Sequence, residues 1–151
     1  MRTYEAVYPC VTVTAAQTLM YLTAPSTMCG RITYASIAIA DVDTNEQTYA
    51  CIDRISSLGT PTGTSVTPSK TSNGDSASSF TCKADITGSE PTYAATPVGQ
   101  EAFPSISGWR FQPLTENEYI EIKPSESVGV KLLGAIASST VTVRIVFQEI
   151  G

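Results

Sequence analysis

The sequence predicts an all-β protein, a jelly-roll-like antiparallel β-sandwich of about eight to ten strands. Three observations carry this. Apolar residues recur with period two in several separate stretches. Thr, Val, Ile and Tyr, which suit pleated strands, are abundant, while Glu, Lys, Gln and Arg are scarce. No helical pattern is longer than a turn. The 151 residues make one domain, 1–151, large enough to bury a single core.

The elements follow in order. Thr3 to Tyr8 reads as a first strand, stopped by Pro9, and Val11 and Val13 then alternate with Thr12 and Thr14. Gln17 to Leu22 is a second strand, closed by the turn Ala24-Pro25-Ser26. Arg31 to Ala40 alternates, with Ile32, Tyr34, Ser36, Ala38 and Ala40 on one face and Thr33, Ala35, Ile37 and Ile39 on the other. Asp41 to Glu46 is a polar turn. Gln47 to Ile55 is a strand carrying Tyr49, Cys51, Asp53 and Ile55 on one face.

From Gly59 to Ser79 the only bulky apolar residue is Val66. Such a stretch cannot bury a face, so 59–79 is expected to be one long Ser/Thr/Gly/Pro loop or arm. Phe80 to Ile86 resumes a strand. Glu90 to Phe103, broken by Pro91 and Pro97, is expected to be extended and irregular. Gly108 to Phe111, Tyr119 to Ile122 and Val128 to Leu133 are further short strands. In the last strand Val141, Val143, Ile145, Phe147 and Glu149 alternate with Thr142, Arg144, Val146 and Gln148. A terminal strand of this quality is expected in the middle of a sheet. Open sheet edges are expected to be blunted by prolines, short edge strands or a partner subunit.

The chemistry is sparse. The chain has no histidine, which removes Ser-His-Asp and Cys-His catalysis and the His-rich metal sites of related barrels. No phosphate-binding glycine motif is present. Carboxylate pairs could still act without histidine. Glu116, Glu118 and Glu121 form an acidic patch, read more simply as a solvated edge. Asp41, Asp43 and Asn45 begin like a calcium loop, but Glu46 stands where glycine is required and Ile52 where a bidentate Glu should be. A polar turn is the better reading. Trp109, the single tryptophan, could be a sugar platform or an interface anchor, and more often such a residue is a core or rim aromatic. No catalytic, cofactor-binding or metal residue is therefore assigned, and the chain is read as not an enzyme.

The net charge is −5, and nine Lys and Arg are scattered, so neither nucleic acid nor an anionic membrane is an expected partner. The N-terminus lacks the apolar core of a signal peptide, and no run is long enough to span a bilayer. The expectation is a soluble protein made in a cytosol. Cys10, Cys29, Cys51 and Cys82 are too widely spaced for a zinc knuckle. Their even count permits two disulfides, and buried free thiols are the expected state. The 59–79 segment is the best candidate contact element: either an arm that orders on a neighbour or a floppy surface loop. On that basis, deleting Thr62 to Ser78 should spare the fold and weaken assembly.

The opening Met1-Arg2-Thr3-Tyr4, the run Val11 to Gln17, and the strand end Ile52-Asp53-Arg54-Ile55 before a Gly/Thr/Pro/Ser loop form a familiar series. So do Phe111-Gln112-Pro113, Tyr119 to Pro124 and the close Val143 to Gly151. Together they resemble small tailed-bacteriophage virion structural proteins of the capsid decoration, or cement, type. The likeness spans nearly the whole chain as a pattern without a diagnostic motif. It implies a jelly-roll sandwich, often a homotrimer, on the capsid surface of a virion, bound at junctions between major capsid protein subunits. It implies no cofactor and carries over no catalytic residue. A different class stays open: a receptor- or carbohydrate-binding module of a tail or spike, with a concave site lined by aromatics such as Trp109, Tyr93 or Tyr119.

Overall fold

The computed structural model describes residues 1–40, 45–134, 136 and 139–151. Among the described residues thirteen strands form two antiparallel sheets. One, sheet A, is ordered β10 (Trp109–Phe111), β3 (Cys29–Ala40), β13 (Ser139–Ile150), β1 (Arg2–Val13), β6 (Ser69–Lys70), with β11 (Ile120–Ile122) also on β3. The other, sheet B, is ordered β5 (Thr62–Val66), β7 (Thr81–Thr87), β2 (Gln17–Thr23), β12 (Ser127–Leu132), β4 (Gln47–Ser57), β8 (Thr92–Tyr93), with β9 (Val98–Pro104) also on β4.

Strand pairing gives the jelly roll its form. β1 pairs with β13, β2 with β12, β3 with β10 and β11, and β4 with β9, each antiparallel. These nested pairs alternate between sheets, as if one long hairpin had been wound into a sandwich. The additional strands β5 to β8 belong to the excursion between β4 and β9. The expected all-β sandwich is thus the observed one, with more and shorter strands than the sequence suggested.

The inner faces supply the core. Alternation in β13 puts Val141, Val143, Ile145 and Phe147 inside, opposite Met20, Leu22, Ile52, Val128 and Val130 from sheet B. Phe147 stacks on Tyr4 at 5.6 Å between ring centroids and meets Phe80 at 5.1 Å. Rings at these separations add attraction beyond their buried area. β13 lies between β3 and β1, the central position expected of it.

Three local readings are corrected. The first strand does not stop at Pro9. β1 runs on to Val13 through a β-bulge between Tyr8 and Val11. A bulge accommodates a residue that cannot donate to the ladder. In β3, a bulge opposite Val146/Phe147 shifts the alternation by one residue, so Ile32 joins Ala35 and Ile37 in the core instead of facing away from them.

The 59–79 segment is not one loop. β5 pairs with β7 and β6 pairs with β1, and Val66 packs on the core. Its remainder is a strap pinned to sheet A. Thr71 N–H and Oγ1 donate to Thr3 O at 3.2 and 2.9 Å, and Arg2 Nη1 donates to Ser76 Oγ at 2.7 Å. Buried Glu149 accepts at Oε1 from Ser78 Oγ at 2.6 Å and Ser79 N–H at 2.7 Å.

Gly108 enables the turn into β10. Its φ is +68°, and a Cβ there would lie 2.4 Å from Ile37 O. Any side chain would push Trp109 out of register with Ile37, its partner on β3.

Candidate functional site

The residues singled out in the sequence do not converge. Trp109 is 2% exposed, part of the core, with Nε1 buried and unpartnered, so it cannot serve as an accessible sugar platform. Tyr119 stands at the edge of sheet A with the Arg31 guanidinium 4.9 Å from its ring centroid. Tyr93 lies over the outer face of sheet B. No concave site joins the three among the described residues. The acidic patch is also divided. Glu116 lies 3.4 Å from Arg31, Glu118 accepts from Leu114 N–H at 2.7 Å, and exposed Glu121 points outward from β11.

Asp41 and Asp43 of the calcium-like turn lie outside the described residues. Ile52, at its twelfth position, is fully buried in the core. Among the described residues no cluster of three His, Cys, Asp or Glu side chains could hold a metal ion. No described helix is long and apolar enough to cross a membrane.

Cys51 and Cys82 are buried free thiols and Cys29 is an exposed one, while the side chain of Cys10 lies outside the description. Burial pushes the Cys51 thiol up to about 11 and the Cys82 thiol up to about 12. For Cys51 the nearby Lys131 opposes that shift. Thiolate is the reactive form. Brief treatment of the native protein with iodoacetamide is therefore expected to label Cys29, with Cys51 and Cys82 labelled only after unfolding. Peptide mass spectrometry reads the result, and rapid native labelling of Cys51 would contradict it.

Sequence reasoning missed a buried polar layer outside sheet B. β4 and β5 stand far apart in this sheet, and so do β7 and β8. Residues 58–61 and 88–91 must therefore cross the outer face, where Pro61 and Pro91 are buried. Beneath them, Tyr93 donates to or accepts from Thr18 Oγ1 at 2.7 Å, and Thr18 N–H donates to Glu90 Oε2 at 2.9 Å. Lys131 Nζ sits 3.8 Å from the Tyr93 ring centroid and 3.9 Å from Asp53 Oδ2.

The Asp53 side chain is 1% exposed, and its Oδ2 has no hydrogen-bond partner. Burial raises its pKa, opposed by the Arg54 N–H bond and by Lys131. Burial likewise raises that of the Tyr93 hydroxyl. Gly129 makes room for this ring, since a Cβ there would meet Tyr93 Oη at 2.5 Å. A cavity of about 190 Å³ opens beside the layer, lined in part by Thr18, Glu90, Tyr93, Lys131 and Leu133. These contacts fasten the crossing segments to the sheet.

The outer face of sheet A is different, because no described connection between its strands crosses it. Cross-strand register places Ser36, Ala38 and Ala40 of β3, Thr140 and Thr142 of β13, and Val7 and Thr12 of β1 there. Exposed Arg144 stands among them, opposite Ser36 on one side and Val7 on the other: its Nε lies 2.5 Å from Glu5 Oε1, with its guanidinium 5.3 Å from the Tyr34 ring centroid. This face therefore mixes small and hydroxyl side chains with one exposed ion pair.

No protein-family model, curated protein or solved structure matches the chain.

Proposed function

We propose that this chain is a virion structural protein, a capsid decoration or cement protein that binds at junctions between major capsid subunits and stabilises the shell. The observation that carries the reading is the nested jelly-roll pairing, an architecture that recurs in virion and lectin domains. Fold alone does not choose between such roles. The resemblance of the strand ends to tailed-phage virion proteins supplies the choice, and the surface agrees with it. The chain presents broad sheet faces, and edges that end in the two-residue strands β6 and β8. Weak contacts across such faces, repeated over several shell subunits, add through multivalency. Homotrimers would match the local threefold symmetry of a shell.

Cosedimentation with purified capsids of the cognate phage tests the reading. Saturable binding, with a fixed number of copies per shell and a higher melting temperature for the shell, is the expected result. Absence of binding to shells stripped of their own decoration would overturn it. The carbohydrate-module alternative requires an accessible aromatic platform, and Trp109 does not provide one. Specific binding on a glycan array would revive that alternative.

A further inference from the structure

Of the ion pairs among the described residues, only Asp53 and Lys131 have both side chains largely out of solvent. On the outer face of sheet B, Asp53 of β4 stands opposite Gly129, and Lys131 of β12 stands opposite Cys51. The two are therefore diagonal neighbours on one face. Their backbones are about 7–8 Å apart, a gap that a lysine side chain spans with ease. Gly129 puts no side chain between them, and the Tyr93 ring closes over the place where one would be.

As an ion pair the arrangement is poorly made. Lys131 Nζ lies 3.9 Å from Asp53 Oδ2, beyond hydrogen-bond reach, and Oδ2 is buried with no hydrogen-bond partner. Its twin is well served, since Oδ1 accepts from Arg54 N–H at 2.7 Å. A buried charge pair repays its lost hydration only when its remaining hydrogen bonds are made. Burial also favours the uncharged form of the Asp53 carboxyl.

For a condensation the same arrangement is well made. The amine stands on the side of Oδ2, the oxygen that nothing holds. Arg54 N–H points at Oδ1, where negative charge gathers as a nitrogen adds to Cγ. The Tyr93 ring, with its centroid 3.8 Å from Nζ, and buried Pro91 shield the pair from bulk water.

We infer that Lys131 and Asp53 join in a side-chain amide that ties β12 to β4. One proton passes from the Lys131 ammonium to Oδ2, leaving a free amine and a neutral carboxyl. Nζ then adds to Asp53 Cγ and forms the N–C bond. A second proton from Nζ reaches Oδ2, the Cγ–Oδ2 bond breaks, and Oδ2 leaves as water. Oδ1 stays as the amide carbonyl and keeps its Arg54 donor. Nothing is oxidised or reduced, and no co-reactant enters. The product removes both charges and the orphaned oxygen from the buried layer.

The bond goes beyond the decoration reading and does not depend on it. It closes a covalent loop from residue 53 to residue 131, which contains the strap and both segments that cross sheet B. Such a closed loop restricts the unfolded chain. In the ion-paired and the joined state alike, Lys131→Met leaves Asp53 as a buried carboxylate without a partner.

Intact-mass spectrometry of the purified folded protein, with thiols kept reduced, tests the bond. Wild type is expected to be lighter than its sequence mass by one water molecule. Tryptic mapping is expected to find the peptide that ends at Arg54 joined to one left uncut at Lys131. Lys131→Arg keeps the cation but cannot form the amide, and it is expected at its full sequence mass. Asp53→Asn can condense only by releasing ammonia, so its deficit is expected to be one ammonia in place of one water. Circular dichroism certifies that each variant is folded, and the wild-type peptide map decides the matter should a variant fail to fold. Folded wild type that stays at full sequence mass on prolonged incubation overturns the inference, and so does a one-water deficit that survives Lys131→Arg.

Discussion

Deleting Thr62 to Ser78 is expected to unfold the protein. The sequence presents this stretch as expendable, but β5 runs antiparallel to β7, with Thr62 opposite Thr87 and Val66 opposite Cys82. Residues 61 and 79 therefore lie toward opposite ends of β7, roughly 20 Å apart at strand rise, and one peptide link spans about 3.8 Å. Joining them would tear out either the roof over sheet B or the start of β7. The deletion also removes the Ser78 donor of Glu149 Oε1, and tying Ser79 to residue 61 pulls its N–H from the same oxygen, while Oε2 is already unpartnered. Each charge-assisted bond lost from a buried carboxylate costs about 1.5–3 kcal/mol. Together with the lost edge strand, this rivals the ~5–15 kcal/mol that holds a domain together. Circular dichroism should show no cooperative melt. A transition within a few degrees of wild type would refute the strap.

Lys131→Met is expected to be the most damaging single change outside the core, and its cost should depend on pH. At neutral pH it leaves the Asp53 carboxylate buried without its ammonium, a loss of about 3–5 kcal/mol for a broken buried pair. Asp53 already has a raised pKa in the folded state through burial. A group raised in this way contributes its full stability below its unfolded value of about 3.9 and loses it as pH rises through the folded value. Removing Lys131 deepens that loss, so the gap between variant and wild type should be wide at neutral pH and narrow as Asp53 takes up its proton in acid. Urea melts of both proteins at pH 7 and near pH 4 measure the two gaps. Equal gaps would show that Asp53 and Lys131 are not coupled.

Much of the architecture was legible because side-chain alternation writes it directly. Val141 to Glu149 could be assigned to a central strand on sight, and β2, β3, β4 and β12 nearly to the residue. The errors share physical causes. Ile32 changed face because a single bulge resets the period of two, and a bulge leaves no mark in composition. The 59–79 segment looked empty because β5, β6 and the strap are held through main-chain and hydroxyl hydrogen bonds rather than buried apolar side chains. Alternation alone sets Cys51 and Asp53 on one face, as observed. The crossing segments that seal that face join strands whose neighbours only the fold reveals. The preference for Trp109 as a core or rim aromatic agrees with its burial, and the Gly108 turn is what presses it into the core. The uncrossed face of sheet A was present in the sequence as the Ser, Ala and Thr at alternate positions of β3 and β13, but nothing in one chain says which of two faces stays uncovered.

The nested pairing also governs when this protein can fold. β1 finds most of its pairing in β13, since β6 meets it at only two residues, and among the described strands β2 pairs with β12 and β7. During synthesis the first strand must wait, mostly unpaired and apolar on one side, until β13 has left the ribosome. Such long-range closure is slow, and an exposed strand edge invites wrong partners in the meantime. A cell making many copies at once therefore holds many half-finished chains whose first strands are all seeking the same missing last one, and exchange of that strand between neighbours is the error this topology most readily admits.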